Sequence, residues 1–269
     1  MGLNRDNLIP DQRREQLMRL LRRETVLSVA QLTDRLGVSH MTVRRDISAL
    51  EREGRAYSVP GGVRLASAMR IEPSFIAKST VEPDQKVAIA GLAQASLRDD
   101  MVIFLDAGTT TGALLPALLE HTGLTVISCD FTIMDQLTGA GQIEAIHTGG
   151  RLDHTTRSAV GRLAAQTLRA INTDIAFLST NAWDLQRGVT TPSEPKVDLK
   201  QAAIAGASTA VLLTTSSKFG TFGMYDVAPL TAFDRIITDD GLPAAAAQGV
   251  RDLGVSLELA AVAATGSTG

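Results

Sequence analysis

The sequence of 269 residues contains little cysteine, few aromatic residues and no long apolar run. Its one cysteine, Cys129, excludes an intrachain disulfide, and the sequence lacks the run of about 18 apolar residues that a membrane span requires. The first 16 residues have no apolar core of the kind found in secretory signals. We therefore expect a cytoplasmic location and no membrane partner. With 44% hydrophobic residues, the chain is too apolar to be intrinsically disordered.

Lysine is absent from the first 65 residues, which carry 12 arginines and 8 acidic residues and so have a net charge of +4. The whole chain has a net charge of −3, so the remaining residues carry −7. This balance excludes a uniformly basic coat for nucleic acid. All five lysines fall in the acidic remainder. The charge split predicts two parts with different partners.

Three short helices are predicted in the N-terminal part. Leu17, Leu20 and Leu21 follow the spacing of one helix face. Ser28 and Gln31 have the spacing of a capping box that begins a second helix, and a glycine at position 37 is suited to end it. Ser39 can then cap a third helix over residues 40–53.

The third helix has one apolar face, formed by Val43, Ile47 and Leu50, and one free face. Two extended pieces at residues 55–59 and 63–65 flank a Pro-Gly-Gly turn and predict a β-hairpin wing. Two helices joined across Gly37, the second bearing arginines, are typical of a helix-turn-helix that inserts into the major groove of DNA. From charge alone, a three-helix interaction module with a solvated face is equally compatible.

Arg44 and Arg45 are adjacent and point about 100° apart on the helix, so they cannot perform the same task. We expect one to reach bases or phosphate and the other to pair partly with Asp46 or a neighbouring acid.

The segment from Ser39 to Ile47 reads S-x-x-T-V-R-R-D-I, and Leu50, Glu51 and a Gly-Gly wing turn follow it. This pattern resembles the recognition-helix signature of the DeoR family of bacterial transcriptional regulators. The resemblance implies a winged helix-turn-helix that binds double-stranded operator DNA, usually as a repressor, in a homo-oligomer (a dimer or a tetramer). The candidate DNA contacts are Ser28, Ser39, His40, Met41, Thr42, Arg44, Arg45, Ser48, Arg52, Tyr57 and Arg64.

A linker is predicted over residues 66–84, where Pro73 and Pro83 interrupt any long helix and a short helix is expected near Phe75. Beyond it, short apolar runs alternate with helical segments, which predicts a largely parallel sheet covered by helices on both faces. The predicted strands are residues 101–105, 124–128, 143–147, 174–179, 210–214, 235–238 and 255–259, and the main helices are residues 112–119, 161–171 and 196–208. The predicted domains are therefore a DNA-binding head at residues 10–65 and an effector-sensing and oligomerisation domain at residues 85–260.

A threonine-rich loop at residues 106–112 follows the first strand of this sheet and opens a helix. Backbone N–H groups and hydroxyls in such a loop suit a phosphate group, although simple helix capping is an equally frequent role. The carboxyl ends of parallel strands gather ligands, so residues 128–130, 148–151 and 179–181 are expected near this loop.

The D-x-G-T-T loop, the Gly-Gly-Arg turn at residues 149–151, Glu194 before Lys200, and the S-S-K-F-G segment are similar to the effector domain of DeoR-family regulators. That domain has a Rossmann-like parallel α/β fold resembling ribose-5-phosphate isomerase, and it senses phosphorylated sugars or related metabolites. The resemblance implies an effector site formed by Asp106, Gly108, Thr109, Thr110, Thr111, Cys129, Gly149, Gly150, Arg151, Glu194, Lys200 and Lys218. Cys129 and Thr215 depart from the family's Asn and Asp, and residues 179–183 replace a glycine-containing segment, which points away from a common hexose phosphate.

An enzyme of the isomerase type would need carboxylates positioned for proton transfer. The segments that align with that enzyme's acidic groups are residues 179–182 and 199–200, and they do not supply those carboxylates. The four histidines lack the spacing of metal ligands. We predict no catalytic residues, no metal and no cofactor. We interpret the chain as a ligand-controlled regulator that is expected to repress a carbohydrate or sugar-acid operon. The alternative is a sugar-phosphate isomerase or binding protein with an accessory domain.

Overall fold

In the computed structural model of the chain, residues 8–59 and 61–262 are described. They form an N-terminal head followed by an α/β domain. The head consists of helices α1 (Pro10–Arg23), α2 (Val29–Leu36) and α3 (His40–Arg52) and strands β1 (Ala56–Val59) and β2 (Gly62–Leu65). The two strands pair in antiparallel register as the predicted wing. Pro60, which belongs to the predicted wing turn, lies outside the described residues.

Local capping sets the helix boundaries of the head. The Ser28 hydroxyl accepts a hydrogen bond from the Gln31 backbone N–H at 3.1 Å, and the Gln31 side chain accepts one from the Ser28 N–H at 2.8 Å. Gly37 ends α2 with a φ of +67°, a left-handed conformation that disfavours a side chain. The Ser39 hydroxyl accepts from the Thr42 N–H and begins α3. The predicted capping box, glycine stop and third helix are thus confirmed.

The head has a hydrophobic core of its own, to which all three helices and the wing contribute. Val43, Ile47 and Leu50, the predicted inner face of α3, are at most 4% exposed. They pack against Leu17 and Leu21 of α1 and against residues of α2 and the wing. This packing holds α3 with its opposite face toward solvent.

The rest of the chain begins with a short strand and two helices and continues as an alternating α/β domain. The elements are β3 (Ser67–Ala68), α4 (Phe75–Ser79), α5 (Pro83–Ala93), β4 (Val102–Leu105), α6 (Thr109–Gly112), α7 (Leu115–Leu118), β5 (Thr125–Ser128), α8 (Phe131–Leu137), β6 (Glu144–His147), β7 (Arg151–Asp153), β8 (Ser158–Val160), α9 (Arg162–Arg169), β9 (Thr173–Ser179), β10 (Trp183–Asp184), β11 (Gly188–Thr191), α10 (Val197–Ala205), β12 (Ala207–Leu213), β13 (Thr221–Phe222), β14 (Tyr225–Ala228), β15 (Arg235–Asp239), α11 (Ala244–Asp252) and β16 (Ser256–Ala260).

Seven strands form one parallel sheet in the order β16-β15-β12-β9-β4-β5-β6. They correspond one by one to the seven predicted strands. Neighbouring residues within a strand alternate between two cores, so that Phe104 packs on one face of the sheet while Ile103 and Leu105 pack on the other. The predicted fold class, a winged helix-turn-helix followed by a parallel α/β domain, is confirmed.

The predicted helix at residues 112–119 is wrong in detail, because the segment forms two separate turns, α6 and α7. Pro116 has no N–H to donate to residue 112, so a continuous α-helix would lack that hydrogen bond. The Leu114 N–H donates instead to the carbonyl of Thr111, three residues back.

The predicted linker is attached to the α/β domain rather than loose. Within it, β3 pairs in parallel with β13, and the predicted short helix near Phe75 is α4. The Phe75 N–H donates to the Thr155 carbonyl at 2.9 Å. Among the described residues no helix is long and apolar enough to cross a membrane.

Candidate functional site

The N-terminal half of α3 presents polar and basic side chains on its outer face. His40, Met41, Arg44 and Arg45 are exposed, with Met41 at 70%. Ser39 is exposed as the cap of the helix, whereas Thr42 is half-buried and its hydroxyl lies 2.9 Å from the Ser39 hydroxyl. In helix-turn-helix proteins the first residues of the recognition helix contact base edges. This end of α3 therefore has the composition and exposure of a DNA-reading surface.

Asp46 pairs with Arg13 of α1, and this corrects the prediction that it would pair with Arg44 or Arg45. The Arg13 guanidinium forms two hydrogen bonds to the carboxylate, from Nε to Oδ2 and from Nη2 to Oδ1, the latter at 3.0 Å. Both side chains are largely buried, at 11% and 3% exposure. Hydrogen bonding to Asp46 raises the pKa of Arg13 above its ordinary value, even though burial opposes this. Within the described part of the chain, no acid pairs with Arg44 or Arg45.

Two predicted DNA contacts of the wing lie against the α/β domain instead. Tyr57 is fully buried, and its ring meets that of Phe219 edge-on at 5.0 Å between centroids, so its side chain is not placed to contact DNA. Arg64 Nη2 donates to the Phe219 carbonyl at 2.6 Å, and Nη1 to the Ser67 hydroxyl at 3.3 Å. The periodicity of the wing could not reveal this contact, because the partner residues are more than 150 positions away.

Three other predicted DNA contacts have more specific positions. Ser28 acts as the cap of α2. Ser48 and Arg52, at the C-terminal half of α3, line a cleft of about 670 Å³ shared with α11, where Gln248 and Asp252 face them. In this arrangement of head and α/β domain, the N-terminal half of α3 is the more accessible half.

A polar cavity lies at the carboxyl ends of β4, β5 and β9, where the strand order changes direction. Its empty volume is about 570 Å³ including the opening to solvent. The lining residues are Glu72, Lys78, Asp106, Ala107, Gly108, Thr109, Thr110, Cys129, Ser158, Val160, Ser179, Thr180, Asn181, Thr190, Thr191, Pro192, Lys196, Leu199, Lys200 and Lys218. The predicted residues Asp106, Gly108, Thr109, Thr110, Cys129, Lys200 and Lys218 are thus brought together.

Asp106 and Lys200 form a buried ion pair in the floor of the cavity, with side-chain exposures of 3% and 8%. Lys200 Nζ also donates to the Ser179 carbonyl at 2.7 Å, and the Ser179 N–H donates to Asp106 Oδ2 at 3.0 Å. A side chain at position 108 would meet the Ser179 hydroxyl at 2.5 Å, so the loop needs glycine there. This network fixes the threonine-rich loop against β9.

Lys218 projects into the same cavity from the one-turn 3₁₀ helix Ser216–Lys218. Burial lowers the pKa of Lys218 to about 7, and the positive charges of Lys78 and Lys86 act in the same direction. An anion placed beside Lys218 would stabilise its protonated form and raise that pKa. The cavity is therefore electrostatically suited to a negatively charged ligand.

A carboxylate from the linker also reaches the cavity. Glu72 Oε1 accepts from Asn181 Nδ2 at 2.6 Å and lies 3.1 Å from Lys196 Nζ and 3.4 Å from Lys78 Nζ. Burial by itself would raise the pKa of Glu72, but the charges of Lys196 and Lys78 outweigh it and hold the pKa below its ordinary value.

Five predicted effector residues do not line the cavity. The Thr111 hydroxyl is fully buried and donates to the Asp106 and Gly108 carbonyls, so it supports the loop from behind. Gly150 has a φ of +116° and packs against α9, where a Cβ would meet the Ala164 Cβ at 2.9 Å. The remaining three, Gly149, Arg151 and Glu194, are exposed outside the cavity.

The sequence-based prediction missed three charged side chains of the cavity, namely Glu72, Lys78 and Lys196, whereas Asn181 lies near the threonine-rich loop as expected for residues 179–181. Two of them come from the predicted linker, whose packing on the α/β domain no local pattern reveals. One signal was available: all five lysines lie outside the head. Four line this cavity, and Lys86 lines an adjoining one together with Lys78 and Lys218.

In the described part of the chain, no group of three or more His, Cys, Asp or Glu side chains could hold a metal ion.

One loop connects the cavity to the wing. It begins at Lys218 and continues through Phe219 and Gly220 to β13, which pairs with β3. The Ser67 N–H donates to the Gly220 carbonyl at 3.1 Å, and a side chain at position 220 would meet the Tyr57 ring at 2.6 Å. Lys218 is therefore adjacent to Phe219, which contacts Tyr57 and Arg64 of the head directly.

Two protein-family models match this chain. The DeoR-like helix-turn-helix domain matches residues 13–68, and the DeoR C terminal sensor domain matches residues 81–240. Among similar proteins, an uncharacterized HTH-type transcriptional regulator of Haemophilus influenzae is 40% identical over 94% of this chain and 98% of its own length. The uncharacterized HTH-type transcriptional regulator YgbI of Escherichia coli is 40% identical over 94% of this chain and 99% of its own. A putative aga operon transcriptional repressor of Escherichia coli is 31% identical over 92% of this chain and 93% of its own length.

Among solved structures, ribose 5-phosphate isomerase A from Methanocaldococcus jannaschii is similar to this chain. The match covers 51% of this chain and 54% of the isomerase chain. The sequence identity is 18% and the TM-score is 0.38.

Proposed function

The chain belongs to the DeoR family of transcriptional regulators, and we propose that it represses a carbohydrate or sugar-acid catabolic operon under the control of a phosphorylated sugar-like metabolite. We further propose that the functional division follows the predicted boundaries, with a DNA-binding head at residues 10–65, a linker at 66–84 and a sensor at 85–260. Relatives named as transcriptional regulators cover nearly the whole chain, which favours a regulator over the isomerase alternative.

The single observation that carries the proposed effector class is the gathering of every lysine in the chain around one cavity region. Lysines ordinarily occupy exposed surface, and burying several together is unfavourable unless anions compensate them. Hydroxyls of Thr109 and Thr110 line the same space and can donate to phosphate oxygens. A phosphate group on the effector supplies the missing negative charge.

The control of DNA binding is proposed to pass through the loop between Lys218 and β13. An effector held by Lys218 moves a segment that contacts Tyr57 and hydrogen-bonds Arg64. The head then changes its position relative to a second head in a homo-oligomer, and with it the fit to two operator half-sites. Several heads are needed because a head of net charge +4 holds DNA weakly by itself.

The proposed function is tested by combining a thermal-shift screen with a gel shift. Sugar phosphates and phosphorylated sugar acids that raise the unfolding midpoint are added to the protein bound to the DNA upstream of its own gene. We expect at least one of them to change operator affinity, whereas the unphosphorylated sugars leave it unchanged. Turnover of a pentose phosphate by the purified protein, or no response to any phosphorylated compound, would reject the proposal.

Replacing Lys218 with methionine is expected to weaken the binding of inorganic phosphate by about 10- to 100-fold. A hydrogen bond between a charged donor and an anion contributes about 1.5–3 kcal/mol, and methionine keeps the length of the side chain without the charge. Isothermal titration calorimetry measures the change. Arg151→Ala is the matched control, because this arginine is exposed outside the cavity and its loss removes the same charge. Equal losses in both variants would contradict a specific role for Lys218.

The affinity of the cavity for sulfate is expected to fall as the pH rises above about 7. Below this pH Lys218 is already protonated, since its pKa is lowered to about 7 by burial and by Lys78 and Lys86. Above it, each binding event takes up a proton, and the affinity falls by at most about tenfold per pH unit. Calorimetry near pH 8 in two buffers of different ionisation enthalpy measures the proton uptake. Lys218→Met should show no uptake, and an uptake that persists in this variant would assign it to another group.

A further inference from the structure

We propose that Lys78, Lys196 and Asn181 form a second anion subsite in the cavity, which Glu72 of the linker occupies until an acidic group of the effector displaces it. The inference rests on the proposed function and narrows the effector to molecules with a phosphate and a second acidic group, such as a phosphorylated sugar acid. Glu72 is then a specificity-determining residue as well as the element that the ligand moves.

The geometry around Glu72 is that of a bound anion. One carboxylate oxygen, Oε1, meets an amide donor at 2.6 Å and two ammonium groups at 3.1 and 3.4 Å. The three donors come from separate parts of the chain, namely α4, the segment after β9 and the 3₁₀ helix Glu194–Lys196. A carboxylate carried by a ligand can meet the same three donors, because they are lining residues of the cavity.

The charges around the cavity favour displacement by a doubly acidic ligand. Four lysines face two carboxylates, Asp106 and Glu72, so with all groups ionised the lining has a net charge of +2. Lys200 is held by Asp106 in the buried floor, which leaves Lys78, Lys196 and Lys218. With Glu72 outside, the net charge becomes +3, equal and opposite to a phosphate dianion plus one carboxylate. With Glu72 inside, a second acidic group would lie beside a like charge, which is unfavourable.

Glu72 is free to leave because, among the described residues, no backbone hydrogen bond involves residues 70–73, and the nearest one before them runs from the Met69 N–H to the Phe222 carbonyl at 2.7 Å. The Glu72 side chain is 12% exposed, whereas its neighbours Arg70 and Ile71 are exposed, Ile71 at 82%. The segment lies between β3, which ends at Ala68, and the Ser74 cap of α4. Release of Glu72 therefore loosens residues 69–73 next to the strand that follows the wing.

The decisive variant is Glu72→Gln in the full chain, with inorganic phosphate as the probe. Without the carboxylate, Lys78 and Lys196 lose the acid that pairs with them, so we expect a lower unfolding midpoint in low salt. We also expect half-saturation at about tenfold less phosphate than in the wild type, because a repelling charge within a few ångströms of the anion has been removed. Glu194→Gln, an exposed position outside the cavity, is the control and should match the wild type. Equal phosphate affinity in wild type and E72Q would overturn the subsite.

Hydrogen exchange on the wild-type protein provides a second measurement that does not depend on the variant's folding. With 3-phosphoglycerate, which carries both a phosphate and a carboxylate, amide exchange at residues 69–72, which include the hydrogen-bonded N–H of Met69, should become faster than with glycerol 3-phosphate at equal saturation. Equal or slower exchange would overturn displacement of Glu72. Both measurements omit DNA, so their failure leaves an effector response in the gel shift intact, and failure of the gel shift leaves the subsite intact.

Discussion

The variant carrying both Arg44→Ala and Arg45→Ala is expected to bind operator DNA at least about 30-fold more weakly than the wild type. Each arginine is exposed at the N-terminal half of α3, and within the described residues neither has an acidic partner. Both guanidinium groups are therefore available to bases or phosphates. A bidentate contact with a base contributes about 1–3 kcal/mol of discrimination, and a phosphate contact adds counterion release. A gel shift over a range of salt concentrations measures both effects.

The two single variants then assign the roles. The arginine that contacts a base should, when replaced, relax the preference for operator over unrelated DNA, whereas the one that contacts phosphate should weaken both and reduce the salt dependence. Arg169→Ala with Arg251→Ala is the matched control, because it removes two exposed positive charges from the sensor domain. If this control lost as much affinity as the α3 variant, net charge rather than a recognition helix would explain the binding.

The central sheet was predictable because its signal is local. The five inner strands are runs of four to seven residues that are largely buried on both faces, so they appear in the sequence as apolar segments. The edge strands β6 and β16 are partly exposed, and their apolar pattern is weaker. The head was predictable for a related reason, since the Ser28 box, the Gly37 stop and the Ser39 cap all act within four residues. Proline at position 116 was an equally local signal, and it explains why the predicted helix at 112–119 is divided.

The candidate cavity was only partly predictable, because a site gathers residues by topology. The loop after β4, with Asp106, Gly108 and Thr110, could be placed from the rule that parallel strands collect ligands at their carboxyl ends. Glu72 and Lys78 could not, since their position depends on β3 pairing with a strand more than 150 residues later. Tyr57 was predicted wrongly for the same reason, because its position depends on a distant residue. An aromatic residue in a wing suits DNA contact, and only the packing of the head on Phe219 buries it.

Asp46 was expected to pair with an arginine on the outer face of α3, but its position gives it a structural role inside the head. It follows the two exposed arginines in sequence, yet the helix turns it inward, where it is 2% exposed. There it joins α3 to α1 through Arg13. The orientation of the recognition helix therefore depends on this pair as well as on the apolar core.

Replacing Asp46 with alanine is accordingly expected to destabilise the head by about 3–5 kcal/mol, because the Arg13 guanidinium would remain buried without its counter-charge. Urea unfolding followed by circular dichroism should show the head unfolding before the sensor. Operator binding should be lost while phosphate binding is kept, since, apart from Tyr57, the two parts have separate cores. The double variant Arg13→Met with Asp46→Leu tests the cause. Apolar side chains of similar size remove both charges together, so most of the lost stability should return. If the double variant were as unstable as Asp46→Ala, the loss would arise from packing around position 46 and not from an unpaired buried charge.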